Sequence, residues 1–463
     1  MSDLFAARCQ MALSLGFHIL FAVAGMAMPL LMVIAEVLYL RTGRAVYYEL
    51  ARRWAKGTAI LFAVGAVSGT ALSFELGLLW PTFMRHAGPL IGMPFSLEGF
   101  AFFLEGIFLG LYLYGWDRLS PKLHVASGVV VALSGLSGGI FVVAVNSWMN
   151  TPAGFEAIHL TQADGTPGWQ LVELDLWKAF FNPAFPTQAT HMALAAYTSV
   201  AFAVLGIHAW RLRQHPENEF HRAAVKITFA VALLVTPLQA LSGDFAAKHL
   251  AEVQPAKLAA AEALFETQSQ APLSLGGWVD ADARRLVGAV EIPGLLSVLA
   301  TGSFEGKVIG LEDIPRDQWP PLNVVHLAFD LMVGCGTLLL AWLGLATFMS
   351  VRARAFASFL RQDSALARLL VRSAVWVAPL GLLAVEAGWV VTEVGRQPWI
   401  IRGVMRTSEA VTPMPGLIVP LMAFGVLYAF LGVIVIVLLK AHVFAADEKH
   451  EPPTKELVSE GGT

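Results

Sequence analysis

Nine apolar runs dominate this sequence, each long enough to cross the roughly 30 Å of hydrocarbon in a bilayer. They fall at about residues 13–40, 57–80, 95–116, 124–149, 188–211, 222–242, 323–350, 371–394 and 415–441. Inside lipid every backbone polar group must be satisfied within the protein, so runs of this length specify helices. Composition agrees, since 463 residues that are 56% hydrophobic and 14% charged, with mean hydropathy +0.64, hold too few charges to coat several soluble domains. The fold class is all-α, a polytopic membrane protein with about nine transmembrane helices. The first run is too long for a cleaved signal peptide and runs on without a break into its C-terminal flank, which makes it an uncleaved helix.

Lysine and arginine orient the bundle. With the N-terminus outside, the inner connections hold 19 of the 31 Lys and Arg residues, among them Arg41, Arg52, Arg118, Arg211, Arg352, Arg354, Arg361 and Lys449. Of the other 12, six lie in one connection too long to obey the rule. The expected layout is helices one to six in 1–242, an extracytoplasmic connection in 243–321, helices seven to nine in 322–445, and a charged, disordered cytoplasmic tail in 446–463. Within the long connection, Ala, Leu, Lys and Glu after Pro255 predict a helix, followed by an ordered lid rich in turns. A connection of this length in a compact protein is more often functional than not.

A net charge of −3 without a large basic cluster argues against nucleic acid as a partner. Cys9 and Cys335 form no CxxC or CxxCH motif, which leaves covalent c-type haem, structural zinc and iron–sulfur centres unsupported. The chain shows no inverted repeat of the transporter kind.

Against this apolar background the charged stretch AVEAGWVVTEVGRQPW, Ala384 to Trp399, stands out. It carries Glu386 and Glu393 seven residues apart on one helix face, about 10 Å along the axis. An ionised carboxylate at the centre of a membrane helix costs about 3 kcal/mol, so both need partners. His18, Glu98, His191, His326, Asp330, Met332 and Glu386 all fall toward the outer ends of their runs, with Glu105 deeper, and are expected to share one site. Imidazole with thioether is an axial pair for low-spin haem iron, and a lone His or carboxylate suits an iron that must bind a gas. Carboxylates alone could equally serve a haem-free proton or cation transporter. Each residue also has an ordinary reading. A single His near a helix end is usually a satisfied interfacial side chain, which is the reading for His208, His215, His221, His249 and His442, and Met is a common packing residue.

These motifs resemble subunit I of the cytochrome bd family of quinol oxidases. The resemblance covers nearly the whole chain through GFHILF, EGFAFFLE, YLYGWDR, NSWMNTP, the His191 segment, FDLMVGCG and VEAGW…EVGRQPW. The short quinol loop and the seven-residue gap between Glu98 and Glu105 resemble the cyanide-insensitive branch, in which the third haem is b or d. The resemblance implies two haem b, that third haem, quinol as substrate (ubiquinol in the best-known members) and oxygen. It also implies a second subunit, a small single-helix accessory subunit and a place in the bacterial inner membrane.

By the same resemblance, His191 and Met332 ligate the low-spin haem, and His18 and Glu386 ligate the two high-spin haems. Glu98 stands at the oxygen-reducing haem. Glu105, with Ser137, lies on the proton path, and Lys257 and Glu262 lie at the quinol site. Arg8 and Arg396 lie near the haem propionates. One departure is Asp330 where better-known members carry Arg two residues before the Met; an unpaired carboxylate there lowers the potential of the low-spin haem. The implied mechanism oxidises quinol at the outer face and draws protons inward past Glu105, building membrane potential without a pump. The rivals are the haem-free transporter and a dihaem b electron-transfer protein that is not an oxidase.

Overall fold

The computed structural model describes residues 2–161, 167–352 and 365–444, so the expected tail at 446–463 and the inner-loop Arg354 and Arg361 lie outside the described residues. Among those described, nine helices are long and apolar enough to cross a membrane. In chain order come α1 (Asp3–Thr42), α2 (Ala45–Leu79), α3 (Pro81–Tyr114), α4 (Pro121–Asn150), α5 (Leu176–Phe180), α6 (Phe185–Leu212) and α7 (Glu219–Val253). There follow α8 (Pro255–Ala261), α9 (Leu295–Thr301), α10 (Leu322–Arg352), α11 (Ala365–Val377), α12 (Leu380–Val394), α13 (Thr407–Ala410) and α14 (Ile418–Leu439). Helices α11 and α12 form the eighth span, divided at Pro379.

Several helices outrun their apolar stretches. Helix α3 starts at Pro81, with only Trp80 between it and the end of α2, and carries Pro89 and Pro94 inside it, so Glu98 lies well within a helix and not near its start as expected. Helix α7 continues past residue 242 to Val253, which moves the start of the long connection to residue 254. The expected helix after Pro255 is α8, and the turn-rich lid is two nested antiparallel hairpins. In these, β3 (Leu273–Leu275) pairs with β6 (Val290–Ile292) outside the pair of β4 (Trp278–Asp280) and β5 (Arg285–Val287). Two further hairpins, β1–β2 (Glu156–Thr161 with Pro167–Val172) and β7–β8 (Trp399–Ile401 with Met405–Arg406), cap other helix ends.

The bundle is organised around α1, which packs against α2, α4, α6 and α14. Lipid is as apolar as leucine, so membrane helices gain most from small residues that let backbones approach. Accordingly, a Cβ on Gly381 of α12 would lie 2.6 Å from Ser199 Cα of α6, and one on Gly206 of α6 would lie 2.2 Å from Ala378 Cβ. Helix α14 turns Val419, Met422, Val426, Phe430 and Val433 outward, as a lipid-facing surface does. Replacing Gly381 with Ala pushes a methyl group into backbone atoms that have little room to yield. The expected result is a loss of about 1–3 kcal/mol and a lower unfolding midpoint in a detergent thermal scan, and an unchanged midpoint would contradict the close α6–α12 approach.

Candidate functional site

Two histidines on different helix pairs sit in the same local arrangement. Nδ1 of His18 (α1) is 3.0 Å from the Ser68 hydroxyl of α2, and Nδ1 of His191 (α6) is 3.0 Å from the Ser242 hydroxyl of α7. Each serine donates its proton to a carbonyl three residues back, Ser68 to Gly65 at 3.1 Å and Ser242 to Gln239 at 2.8 Å. A hydroxyl has one proton, so toward the imidazole each serine accepts. The ring proton therefore sits on Nδ1 and the lone pair on Nε2, the arrangement of a metal-ligating histidine whose other nitrogen is fixed by a hydrogen bond. Gln239 Nε2, 3.1 Å from His191 Nε2, suits a nitrogen that accepts. In both cases glycine follows the serine. A Cβ on Gly69 would come 2.8 Å from His18 Cε1, and one on Gly243 would come 3.5 Å from His191 Cε1.

Helix α12 works on two sides. Gly388 faces Met332 of α10, where a Cβ would lie 3.0 Å from Sδ, while Glu386 Oε2 is 3.2 Å from the Cβ position of Gly16 on α1. Two residues along a helix is about 200° of rotation, so α12 turns its carboxylate to α1 and its glycine to α10. The same rotation separates Gly16 from His18. Glu386 thus meets α1 on a different side from the one that carries His18. Glu386 Oε1 is buried without a hydrogen-bond partner among the described residues. Glu105 is buried too, its Oε1 seated 3.3 and 3.2 Å from the Cβ positions of Gly25 (α1) and Gly135 (α4) and likewise unpartnered. Gly135, two residues before Ser137 on α4, is the residue that meets this carboxylate. Glu98 and Arg8 are half-buried on α3 and α1.

At the end of α12 lies a buried polar chain. Lys257 Nζ donates to Asn150 Oδ1 at 2.5 Å and to Thr392 O at 3.1 Å, and Asn150 Nδ2 donates to Asn146 Oδ1 at 3.2 Å. Asn146 and Arg396 both donate to Glu393. Arg396 is only 5% exposed, yet its Nε and Nη1 have no partner among the described residues, which leaves guanidinium donors ready for an anion. Burial first, then the Arg396 charge, holds the Lys257 ammonium well below its usual range. Five residues on, Glu262 is 4% exposed with Oε2 unpartnered. Burial pushes it up to about 8, with the Asp330 charge adding to the rise and the Ser274 backbone N–H opposing it.

Some residues escaped the sequence reading. Asn146 and Asn150 lay in view inside NSWMNTP. Glu36 and Glu75 carry the signal that exposed Glu386, a carboxylate inside an apolar run. In the structure Glu36 Oε1 is 2.7 Å from His124 Nδ1, and Glu75 Oε1 accepts from Gln10 at 3.2 Å. Asp330, expected to lower the haem potential only if unpaired, accepts the Gly276 N–H at 2.7 Å and lies 3.5 Å from His326 Nε2. A lowered haem potential therefore does not follow from it.

Among the described residues no three His, Cys, Asp or Glu side chains gather as a metal site of their own. Lone histidines fixed at Nδ1, with the Nε2 lone pair open in His18 and facing the Gln239 amide in His191, fit an iron whose other ligands come from a macrocycle, as does the thioether facing a glycine. Fold and side-chain seats define a class, helical membrane proteins that seat isolated histidine, methionine and carboxylate side chains inside the bundle. The sequence matches cytochrome bd terminal oxidase subunit I over residues 6–446, and the chain belongs to that family. It is 36% identical over 443 residues to the putative cytochrome bd menaquinol oxidase subunit I of Bacillus subtilis (strain 168), covering 95% of this chain and 96% of the relative. It is 28% identical over 473 residues to the cytochrome bd-II ubiquinol oxidase subunit 1 of Escherichia coli (strain K12), covering 87% of this chain and 88% of the relative. The solved bd oxidase from Geobacillus thermodenitrificans is similar at TM-score 0.87 and 39% identity, covering 96% of this chain and 99% of that one.

Proposed function

We propose that this chain is the haem-carrying subunit of a quinol:oxygen oxidoreductase in the bacterial inner membrane, with its N-terminus outside and its C-terminus inside. The observation that carries the reading is the repeated histidine–serine–glycine arrangement, which puts the ring proton on Nδ1 and leaves the Nε2 lone pair on each of two helix pairs. His191 and Met332 hold a low-spin haem b, and His18 and a carboxylate of α12 hold the two high-spin haems, the third being d or b. When bound, the haems supply the electron path from quinol to oxygen. Glu386 is the α12 carboxylate free to ligate, because Glu393 is already engaged by Asn146 and Arg396. The unpartnered donors of Arg396, with Arg8, suit propionates.

The connection at 254–321 is the quinol site, on the outer face. Glu262 accepts a quinol proton as general base, and Lys257 holds the end of α8 to α12 through Thr392. Protons for water formation enter from the cytoplasm past Glu105, with Glu98 nearer the oxygen site, so charge separation needs no pump. Subunit II, which normally pairs with subunit I in this family, completes the enzyme, and a small single-helix subunit is a further partner. A visible haem spectrum of the purified protein together with quinol-driven oxygen uptake tests the whole reading; absence of either sinks it.

Each part of the reading carries its own expected outcome. Ser242→Ala removes the acceptor that orients His191 and should weaken the low-spin haem by about 10–100-fold, measured as haem per chain after dilution. Full retention would show that the serine does not orient a ligand. Glu386→Gln should abolish one high-spin signal while Glu393→Gln keeps it, and the reverse pattern would move the ligand seven residues along α12. For Glu262, the base form exists above its raised value, so quinol-driven turnover should climb with pH through about 8. Turnover driven by a soluble reducing dye should lack that limb, and its persistence in Glu262→Gln would remove this residue from the role. Glu105→Gln should slow oxygen reduction more than quinol binding; unchanged turnover at normal haem content would defeat that assignment.

A further inference from the structure

One stripe of side chains ties the connection at 254–321 to α10. Asn323, His326 and Asp330, three and four residues apart, share a helix face. Asn323 grips Val279 by both backbone groups, its Oδ1 accepting from the N–H at 2.8 Å and its Nδ2 donating to the carbonyl at 2.9 Å. Gly276 is gripped the same way by two residues. Asp330 accepts from its N–H at 2.7 Å, and His326 Nε2 lies 3.1 Å from its carbonyl oxygen. The positive φ of 69° that aims both groups of Gly276 at α10 is one that glycine adopts without strain.

The other nitrogen of the same imidazole, Nδ1, is 2.8 Å from the carbonyl oxygen of Ala261, and the ring is 0% exposed. Ala261 is the last residue of α8, where helical carbonyls run out of partners, and Glu262 is the next residue. Ser274, whose N–H faces the Glu262 carboxylate, is two residues before Gly276. Both carbonyls only accept, so the ring donates to one of them as neutral imidazole and to both as imidazolium, with Asp330 3.5 Å from Nε2; either way His326 sits between the two backbone segments that fix where the Glu262 carboxylate stands.

We propose that His326 is the positioning residue of the quinol-oxidising carboxylate, clamping Ala261 to Gly276 so that Glu262 is held against Ser274 with one oxygen free for substrate. The inference rests on the reading of Glu262 as the quinol base. A histidine that merely filled the core would support α10 and the haems alike, whereas a clamp acts on quinol oxidation alone.

The test uses the intact oxidase in nanodiscs with His326→Phe, His326→Gln and Glu262→Gln. Three quantities are measured: kcat/KM for quinol, oxygen uptake driven by a soluble reducing dye, and hydrogen exchange at the Gly276 and Val279 amides. His326→Phe keeps the ring volume and loses both contacts. It should lower kcat/KM for quinol on the order of tenfold or more, leave dye-driven uptake and haem content unchanged, and speed exchange at those amides. His326→Gln, which still donates to one carbonyl, should recover part of the loss, and it carries the same comparison if the Phe variant does not assemble. An unchanged kcat/KM in the His326 variants beside a lowered one in Glu262→Gln overturns the clamp and spares the base. Equal losses with quinol and with dye overturn it as well, as a general structural role. If Glu262→Gln oxidises quinol normally, the base falls, and the clamp falls with it.

Discussion

A serine hydroxyl has a single proton, and two such protons set the chemistry of this bundle. Once Ser68 and Ser242 give theirs to a carbonyl of their own helix, each can only accept from the histidine opposite. In water that choice would be weak, because solvent could satisfy either nitrogen. Inside a membrane bundle an unsatisfied polar group costs several kcal/mol, so the pairing fixes the tautomer and the ring plane together. The glycine after each serine is the steric half of the arrangement, since any Cβ at Gly69 would displace the His18 ring. The close packing of α1 on α2 and of α6 on α7 thus fixes the orientation of these two histidines.

The spans were legible because lipid imposes length and apolarity on every helix that crosses it, and the K/R bias offered an orientation. Their ends were not. Pro89 and Pro94 are breakers in a soluble helix, yet α3 runs through both, because neighbouring helices and local adjustment can re-satisfy the freed backbone groups. The strands of the long connection are three residues each, too short to show a period of two. His18, His191, Met332 and Glu386 could be picked out by residue type and depth, but their partners could not. Ser68 lies 50 residues from His18 in sequence, and Ser242 lies 51 from His191, distances at which no local pattern links them. Glu36 and Glu75 were a different kind of miss, since the penalty for charge at depth applied to them as fully as to Glu386.

Asp330 shows how a substitution read in one dimension misleads. Set against an arginine, it looks like a charge reversed beside a haem ligand. In three dimensions its carboxylate receives the Gly276 N–H and faces His326, so its charge is bound up with the connection above α10. Helix α10 thus seats Met332 against Gly388 and, through Asn323, His326 and Asp330, grips Val279 and Gly276 of the connection.

The buried polar atoms left without partners sharpen this division of labour. Glu105 Oε1, Glu386 Oε1, Glu262 Oε2 and the Arg396 donors Nε and Nη1 are all unsatisfied among the described residues, while the Lys257 ammonium and the His326 ring nitrogens all have partners. A folded chain tolerates such groups where something else completes them, a ligand or a proton in transit. Lys257 and His326 are closed by the protein itself, whereas the Glu105, Glu386 and Glu262 carboxylates and the Arg396 guanidinium each keep an atom open. Ser14, Tyr112, Thr236 and Tyr428 also keep buried atoms open, so an open atom becomes informative only on a group whose charge or proton has somewhere to go.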